Sequence, residues 1–280
     1  MDTLKNFYVA DTFNNRVLEC SAPLSSGMAA SRVFGQDGSF TSNTANIDGV
    51  APTSLGLPLG VAVDAAGNLF IADYKNHRVL EYNTPLTSDT TADNVYGQTN
   101  RFTASSYTGQ VNANSLAGPK SLAVDAQDDL FVSDFDNSRV VEYKSALTTD
   151  ATGDLVLGEP TFAVTNSAQS GVNASVLAGP AGLALDPKGN LFVADTFDNR
   201  TLEYSAPLTS GMAAGLVFGQ PDMFSHGVNT GGVSRASLAL PFGAALDARG
   251  DLFVVDTLNS RVLEYDYPLL LQLYLPLVRR

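Results

Sequence analysis

Cysteine and histidine are scarce in this chain, which contains one Cys and two His residues. A single thiol cannot build a disulfide framework or a thiolate metal cluster. Cys20 lies where other repeats of the chain have tyrosine, so we expect it to be an ordinary strand residue. The sequence also has no convincing Ser-His-Asp context, phosphate-binding glycine loop or Cys/His metal motif. These motifs therefore assign no catalytic residue, and their absence does not exclude catalysis.

Basic residues are also in short supply. Lys and Arg number 16 against 29 Asp and Glu, which gives a net charge of −13. Such a surface repels phosphate backbones and anionic headgroups, so nucleic acid and membrane surfaces are excluded as general partners. The apolar segment 269–278 is about half the length that a membrane-spanning helix needs, and we expect no membrane insertion. No signal-peptide pattern precedes the first predicted strand.

One ten-residue segment occurs five times along the chain, and its spacing divides the chain into repeats. Its aspartates recur at steps of 62, 61, 61 and 61 residues. The copies are ADTFNNRVLE from Ala10, ADYKNHRVLE from Ala72, SDFDNSRVVE from Ser133, ADTFDNRTLE from Ala194 and VDTLNSRVLE from Val255. A fixed period of this length marks a repeat architecture in which each unit must pack on its neighbours.

Each unit contains short β-rich runs bounded by Gly, Pro, Asn and Asp, with no helical period between them. The pattern predicts an all-β protein of four-stranded units. We expect one domain over 1–280, with units at about 1–54, 55–115, 116–176, 177–237 and 238–280. In the first strand, Ala62, Ala123, Ala184 and Ala245 recur at steps of 61. This recurrence predicts a crowded centre in which one face of that strand has room only for a methyl group.

The segment GVAVDAAGNLFIADYKNHRVLEY, residues 60–82, strongly resembles an NHL repeat, the unit of NHL β-propellers. Copies at 182–204 and 243–265 match nearly as well, and the resemblance covers almost the whole chain. The long polar connections are similar to those of a bacterial long-repeat subgroup. The resemblance implies a β-propeller and an exported protein, extracellular or periplasmic.

Ring closure decides the blade number. Asp2 aligns with the last residue of a first strand, so the first unit lacks the rest of that strand. Leu277 and Val278 align with Leu216 and Val217, so the tail is predicted to supply a fourth strand to the last unit. We expect a five-bladed propeller that is a monomer if the ring closes. The alternative is an open fragment of a six-bladed propeller, which would dimerise because its strand edges and apolar faces are uncovered.

The repeated Asp and Arg of each unit invite a catalytic interpretation. Five copies of one arrangement instead predict five identical turns, in which Asp accepts hydrogen bonds from backbone N–H groups and from Arg. The same structural interpretation covers Asp64, Asp125, Asp186 and Asp247 in the first turn of each unit.

Function is expected where the repeats differ. The loops after each second strand share one end of a propeller with the long connections between blades, and long loops on a rigid scaffold favour binding. The candidate ligand-binding residues at this end are Tyr74, Lys75, His77, Phe135, Asp136, Asp198 and His226. No cofactor is expected, although the acidic loops suggest Ca²⁺ or another divalent metal as an option. The metal ligands are unknown.

We therefore expect a non-enzymatic scaffold that presents its long polar loops to a protein or glycan. The alternative is a metal-assisted lyase or hydrolase that acts at the central axis, as the resemblance to catalytic NHL-type propellers allows. Such an enzyme needs several His or carboxylate ligands that converge on one point.

Overall fold

The computed structural model of the protein describes residues 1–85, 87, 89–98, 101–105, 110–146, 151–165 and 171–266. Regular structure in these residues consists of β-strands and single turns of 3-10 helix. The strands form five antiparallel sheets, each made from strands that are consecutive in sequence. The prediction of an all-β protein with five blades is confirmed.

The blades follow chain order, and their strands have the following bounds. The first has β1 Phe7–Asp11, β2 Arg16–Cys20 and β3 Arg32–Phe34. The second has β4 Pro58–Val63, β5 Leu69–Asp73, β6 Arg78–Tyr82 and β7 Asn94–Tyr96. The third has β8 Pro119–Val124, β9 Leu130–Asp134, β10 Arg139–Tyr143 and β11 Leu155–Leu157. The fourth has β12 Pro180–Leu185, β13 Leu191–Asp195, β14 Arg200–Tyr204 and β15 Leu216–Phe218. The fifth has β16 Pro241–Leu246, β17 Leu252–Asp256 and β18 Arg261–Tyr265.

The turn between the first and second strands is built as the sequence predicts. Asp64 Oδ1 accepts a hydrogen bond from the Asn68 N–H at 2.8 Å, and Asp64 Oδ2 accepts one from the Asn68 side-chain amide at 2.6 Å. Gly67 has φ +91°, a conformation that favours glycine. The aspartate is thus a turn-forming residue in this structure.

The hydrophobic core lies between neighbouring blades. Side chains of β5 alternate, so Leu69 and Ile71 pack toward the first blade while Phe70 and Ala72 pack toward the third. Strands β5, β9 and β13 are buried along their whole length because both of their faces are covered. This arrangement explains why these strands are almost continuously apolar instead of alternating with polar residues.

The first strands of the last four blades pack side by side around the central axis, β4 on β8, β8 on β12 and β12 on β16. The strands line the centre as predicted, but the tightest approach falls on glycine rather than on the recurrent alanines. A Cβ on Gly60 would lie 2.5 Å from the backbone oxygen of Lys120, and one on Gly182 would lie 2.6 Å from the Ala244 nitrogen. Ala62 instead packs against the core between the second and third blades.

The two terminal blades each leave one face exposed. In the first blade, Phe7 and Val9 occupy the positions of Leu69 and Ile71, yet they are exposed. In the fifth blade, Val262 is 59% exposed. Within the described residues, strands of these two blades do not pack on each other as consecutive blades do. The strand predicted around residues 277–278 lies outside the described residues, so closure by the tail and the oligomeric state stay predictions.

Candidate functional site

One end of the propeller, the loop end, is formed by the turns after each second strand and the long connections between blades. In four blades the turn is a single 3-10 turn followed by a residue in the left-handed region, with φ between +52° and +55°. His77 is this residue in the second blade, where the others have Asn or Ser. Its position is therefore part of the repeated turn, and its side chain is what differs.

Buried Asp–Arg pairs hold the loop end rigid. The Arg139 side chain donates from Nε to Asp134 Oδ2 at 2.7 Å, and it donates to the carbonyl oxygens of Phe162, Asn112 and Ser115 at 2.8, 3.0 and 2.7 Å. Asp134 Oδ1 also accepts from the Ala117 N–H at 2.5 Å. Each pair thus ties one turn to the connections before and after it. The prediction that the repeated Asp and Arg form hydrogen-bonded turns is confirmed.

Four of the candidate residues lie near one another at the loop end of the central axis, a place that is called the mouth below. Tyr74 and Phe135 begin the turns of the second and third blades, and both rings lie beside the ammonium of Lys120. The Lys120 Nζ is 3.0 Å from the Phe135 ring centroid and 5.9 Å from that of Tyr74. Phe242 of the fifth blade contributes a third ring, with its centroid at 4.7 Å. The mouth is therefore an aromatic cluster with one cation.

A β-bulge in the first strand of the blade brings Lys120, and in the fifth blade Phe242, to the axis. In the third blade the register of β8 on β9 shifts between Pro119 and Leu122, and the same irregularity recurs in the other three described first strands. A bulge rotates the residues within it away from the regular pleat. The repeat-equivalent residues Leu59, Lys120, Ala181 and Phe242 all line one cavity of about 250 Å³.

His77 and Asp136 lie at the side of this mouth. The Nδ1 atom of His77 accepts a hydrogen bond from the Gly118 N–H at 3.0 Å, which assigns Nδ1 as an acceptor. A Cβ on Gly118 would lie 2.5 Å from Asp136 Oδ2 and 2.9 Å from the Tyr74 ring, so glycine lets both approach. Partial burial raises the pKa of Asp136, while the charges of His77 and Lys120 oppose that shift.

Electrostatics single out Lys120. Desolvation by the surrounding rings lowers the pKa of its ammonium to about 8, and the nearby Asp136 carboxylate partly opposes this shift. Among the described residues no hydrogen bond or ion pair of the Lys120 ammonium is found, and its contacts are with aromatic faces. Sequence reasoning missed Lys120 and Phe242. The available signal was the variation at one repeat position, which is Leu59, Lys120, Ala181 and Phe242 in the four units.

The other three candidates lie elsewhere on the loop end. Lys75 is exposed, and its N–H donates to the Gly56 carbonyl oxygen at 3.0 Å. Asp198 is buried 3.5 Å from Arg200 Nη2, and burial raises its pKa while the charges of Arg200 and His226 lower it. His226 is exposed, and its carbonyl oxygen accepts from Asn199. Asp198 and His226 thus lie near each other at the fourth blade, apart from the cluster around Lys120.

In the described part of the chain, one group of three acidic side chains lies close enough to hold a metal ion, Asp251, Glu264 and Asp266. Arg249 already pairs with two of them, with Nη2 at 2.6 Å from Asp251 and 3.4 Å from Glu264. Neither histidine belongs to this group, which is built from the fifth blade. The divalent-metal option at the candidate loop residues gains no support from it.

Of the seventeen exposed large apolar side chains in the described residues, eight lie on the turns or connections of the loop end. Phe13, at the tip of the first turn, is 88% exposed. Others on the turns or the connections of this end are Phe40, Val164, Phe197, Phe224, Val228, Val233 and Leu258. Phe197 also packs edge-on against Phe135, with ring centroids 5.3 Å apart, which joins the exposed set to the aromatic cluster.

The NHL repeat model matches this chain at residues 55–82 and 116–143. The chain is a β-propeller with NHL repeats in its second and third blades. Both matched segments span the first three strands of a blade, including the Asp–Arg turn that is present in all five blades. No curated protein matches the chain as a sequence relative.

Solved propellers share the fold of this NHL-repeat protein at low identity. A catalytically inactive virginiamycin B lyase from Staphylococcus aureus, solved with quinupristin, is similar at 15% identity and a TM-score of 0.50, over 95% of this chain and 68% of that one. A structure of a nidogen/laminin complex is similar at 15% identity and a TM-score of 0.54, over 94% and 72%. The extracellular domain of a hybrid two-component system from B. thetaiotaomicron is similar at 11% identity and a TM-score of 0.53, over 96% and 27%.

The neighbours thus include extracellular proteins and an enzyme, and at these identities they establish the fold alone. Among the described residues, no helix has the length and hydrophobicity that crossing a membrane requires.

Proposed function

We propose that this NHL propeller is a non-enzymatic scaffold whose loop end binds a protein partner. The observation that carries the proposal is the set of eight exposed apolar side chains on that end. Phe13, Phe224 and Leu258 are 88%, 70% and 60% exposed, and they belong to different loops. Solitary exposed hydrophobic residues are ordinary, but a set gathered on one end of a molecule is typical of an interaction surface.

The rest of the loop end has the composition of an interface rim. Its connections are rich in Ser, Thr, Asn and Gly. Apolar anchors surrounded by polar groups that hydrogen-bond or hold water are the usual anatomy of a non-obligate protein interface. The buried Asp–Arg pairs hold the turns in place before binding, which reduces the entropy lost on association. A protein is favoured over a glycan because the most exposed anchors are Phe, Leu and Val.

Charge adds a condition on the partner. The propeller has a net charge of −13, so a partner with a basic contact surface is attracted and an acidic one repelled. The association rate is then expected to fall as salt rises, because screening weakens the long-range attraction while the apolar contacts remain.

The experiment is a capture of partners from cells and medium of the source organism, by wild-type protein and two variants. The loop-end variant carries Phe13→Ser, Phe224→Ser and Leu258→Ser. The control variant carries Leu4→Ser and Leu24→Ser, which change exposed apolar residues in turns of the opposite end. We expect a partner held by wild type and control whose affinity for the loop-end variant is ~10-fold or more weaker. Equal retention by both variants would rule the proposal out, and glycan binding in the same comparison would reassign the partner class.

Two further expectations remain as proposals. An extracellular or periplasmic location is supported by the NHL resemblance, and fractionation of the source cells tests it. The metal-assisted lyase or hydrolase is the alternative function. No specific observation favours it, since in the described residues neither histidine joins a group with metal-binding geometry.

A further inference from the structure

A cavity at the central axis adjoins the loop end, and its lining includes none of Phe13, Phe224 and Leu258, the anchors proposed for the protein partner. The cavity has a volume of about 250 Å³ and is lined by the first strands of four blades. Its walls are mostly small or aliphatic, with Leu59, Val61, Ala181 and Ala244 among them. Lys120 is the one charged residue in the lining that the structure describes.

The Lys120 ammonium is an unusual group in such a place. It has three N–H donors, and among the described residues no acceptor or carboxylate lies within bonding distance of it. Phe135, Phe242 and Tyr74 surround it with aromatic faces, which stabilise a cation but accept no strong hydrogen bond. The described residues provide no acceptor for this partly desolvated ammonium, so its N–H donors are available to form charge-assisted hydrogen bonds with a bound anion.

The hydrogen-bonding groups beside the ammonium are already engaged in holding the backbone. His77 Nδ1 accepts from Gly118, and Ser121 Oγ accepts from the Leu183 N–H at 3.2 Å. Asp136 lies at the mouth and acts on Lys120 through its charge. The inner wall therefore offers one positive donor and otherwise apolar contact, which is the complement of an anionic head on an apolar body.

We propose that this cavity binds a small free carboxylate with an apolar body, its carboxylate on the Lys120 ammonium and its body against the aliphatic wall. The cavity volume is below the range of about 300–1,000 Å³ that is usual for drug-sized ligands, so the expected ligand is smaller than a drug-sized molecule. Phe242 is half-exposed at the mouth and provides an aromatic surface on which a ligand ring can stack.

The proposal predicts a pH dependence with a definite sign. Lys120 is cationic below a pKa of about 8, so carboxylate affinity is expected to hold at neutral pH and fall as pH rises above that value. The other titratable groups near this ammonium are Asp136 and Tyr74, and His77 acts on Asp136. Protonation of Asp136 in acid removes a competing negative charge, so affinity is not expected to fall until the ligand itself is protonated.

The test uses phenylacetate and its neutral isostere phenylacetamide, each titrated into the full chain by calorimetry at about pH 7. Phenylacetate is expected to bind at one site, with phenylacetamide ~10-fold or more weaker. Lys120→Gln should weaken phenylacetate by a similar ~10-fold, while Arg235→Gln, which removes an exposed charge from the same end, should leave it unchanged. Lys120→Arg keeps the cation and should retain part of the affinity.

Equal affinities for the acid and the amide, or no saturable binding of phenylacetate, would overturn the proposal. An unchanged phenylacetate affinity in Lys120→Gln would do the same. If Lys120→Gln does not fold, the comparison of acid with amide on the wild type still decides. The inference does not rest on the proposed protein-binding function. The loop-end variant used for that function should bind phenylacetate as the wild type does, so failure of one proposal is distinguishable from failure of the other.

Discussion

Arg139→Met is the perturbation that most directly tests how the blades are joined. Arg139 is fully buried, and methionine keeps much of its apolar volume while it removes the charge and the donors. Asp134, also fully buried, would lose its cation, and three carbonyl oxygens at 2.7 to 3.0 Å would lose a donor. Removing one partner of a buried pair costs about 3–5 kcal/mol of unfolding free energy. We expect a loss in that range.

The repeat supplies two controls of identical chemistry. Arg16 of the first blade makes the same ion pair with Asp11 at 2.8 Å, but the two side chains are 18% and 26% exposed. Arg16→Met should cost about 1 kcal/mol or less, because solvent screens the pair and replaces the lost donor. Arg261 is intermediate, since its partner Asp256 is fully buried and it has carbonyl contacts to Ser234 and Ser237, while its own side chain is 26% exposed. The expected order of destabilisation is Arg139, Arg261, Arg16.

Urea unfolding followed by far-ultraviolet circular dichroism and tyrosine fluorescence measures these differences, since the chain has ten Tyr and no Trp. The midpoints are comparable only if the three variants keep the wild-type m-value, which reports equal surface exposure on unfolding. Equal losses for Arg139→Met and Arg16→Met would refute the reasoning, because burial would then have no energetic consequence. Asp134→Asn on the Arg139→Met background should recover part of the loss, since it removes the uncompensated charge.

Two further predictions use matched positions of the repeat. Burial raises the pKa of Glu81 to about 7, so the folded state binds an extra proton and stability falls as pH rises from below 5 toward 8. Glu81→Gln should therefore raise the unfolding temperature more at about pH 8 than at about pH 5, while Glu264→Gln, at the exposed equivalent, should show little such difference. A shift in Glu264→Gln as large as in Glu81→Gln would contradict this. Gly60→Ala should destabilise by about 1–3 kcal/mol, because its Cβ would meet the neighbouring blade's backbone at 2.5 Å. Gly215→Ala should leave the thermal unfolding temperature nearly unchanged, because the nearest atom to its added Cβ lies at 3.4 Å. Equal losses of stability in the two variants would contradict this prediction, because they would show that neighbouring blades can shift to make room for a Cβ.

Local features of the fold were accessible from the sequence because they are repeated. Each copy contains its own turn chemistry, such as Asp64 with Asn68, and its own Asp–Arg pair, such as Asp73 with Arg78. Five copies at a near-constant step make an accidental pattern improbable and predict five repeat units, whose arrangement as five blades the structure confirms. The structural role of the repeated Asp and Arg followed from the same argument.

The candidate site was predicted only in part. Tyr74, His77, Phe135 and Asp136 were chosen because they break the repeat on the loop end, and they do gather at the channel mouth. Lys120 and Phe242 also break the repeat, but they lie on first strands, where an apolar lining was expected. The recurrent alanines drew attention to size at the centre, while the β-bulge that rotates residue 120 toward the axis has no sequence pattern of its own.

The sequence by itself determined the repeating unit, its strands and turns, the five copies of that unit and the end on which the repeats diverge. Strand alternation and turn preference are properties of neighbouring residues, so they can be read along the chain. The tertiary structure alone decided that Lys120 meets Phe242, and that Asp198 and His226 lie apart from His77. Those relations depend on the angle at which successive blades pack, and that angle is set by the side chains buried between them rather than by any local pattern.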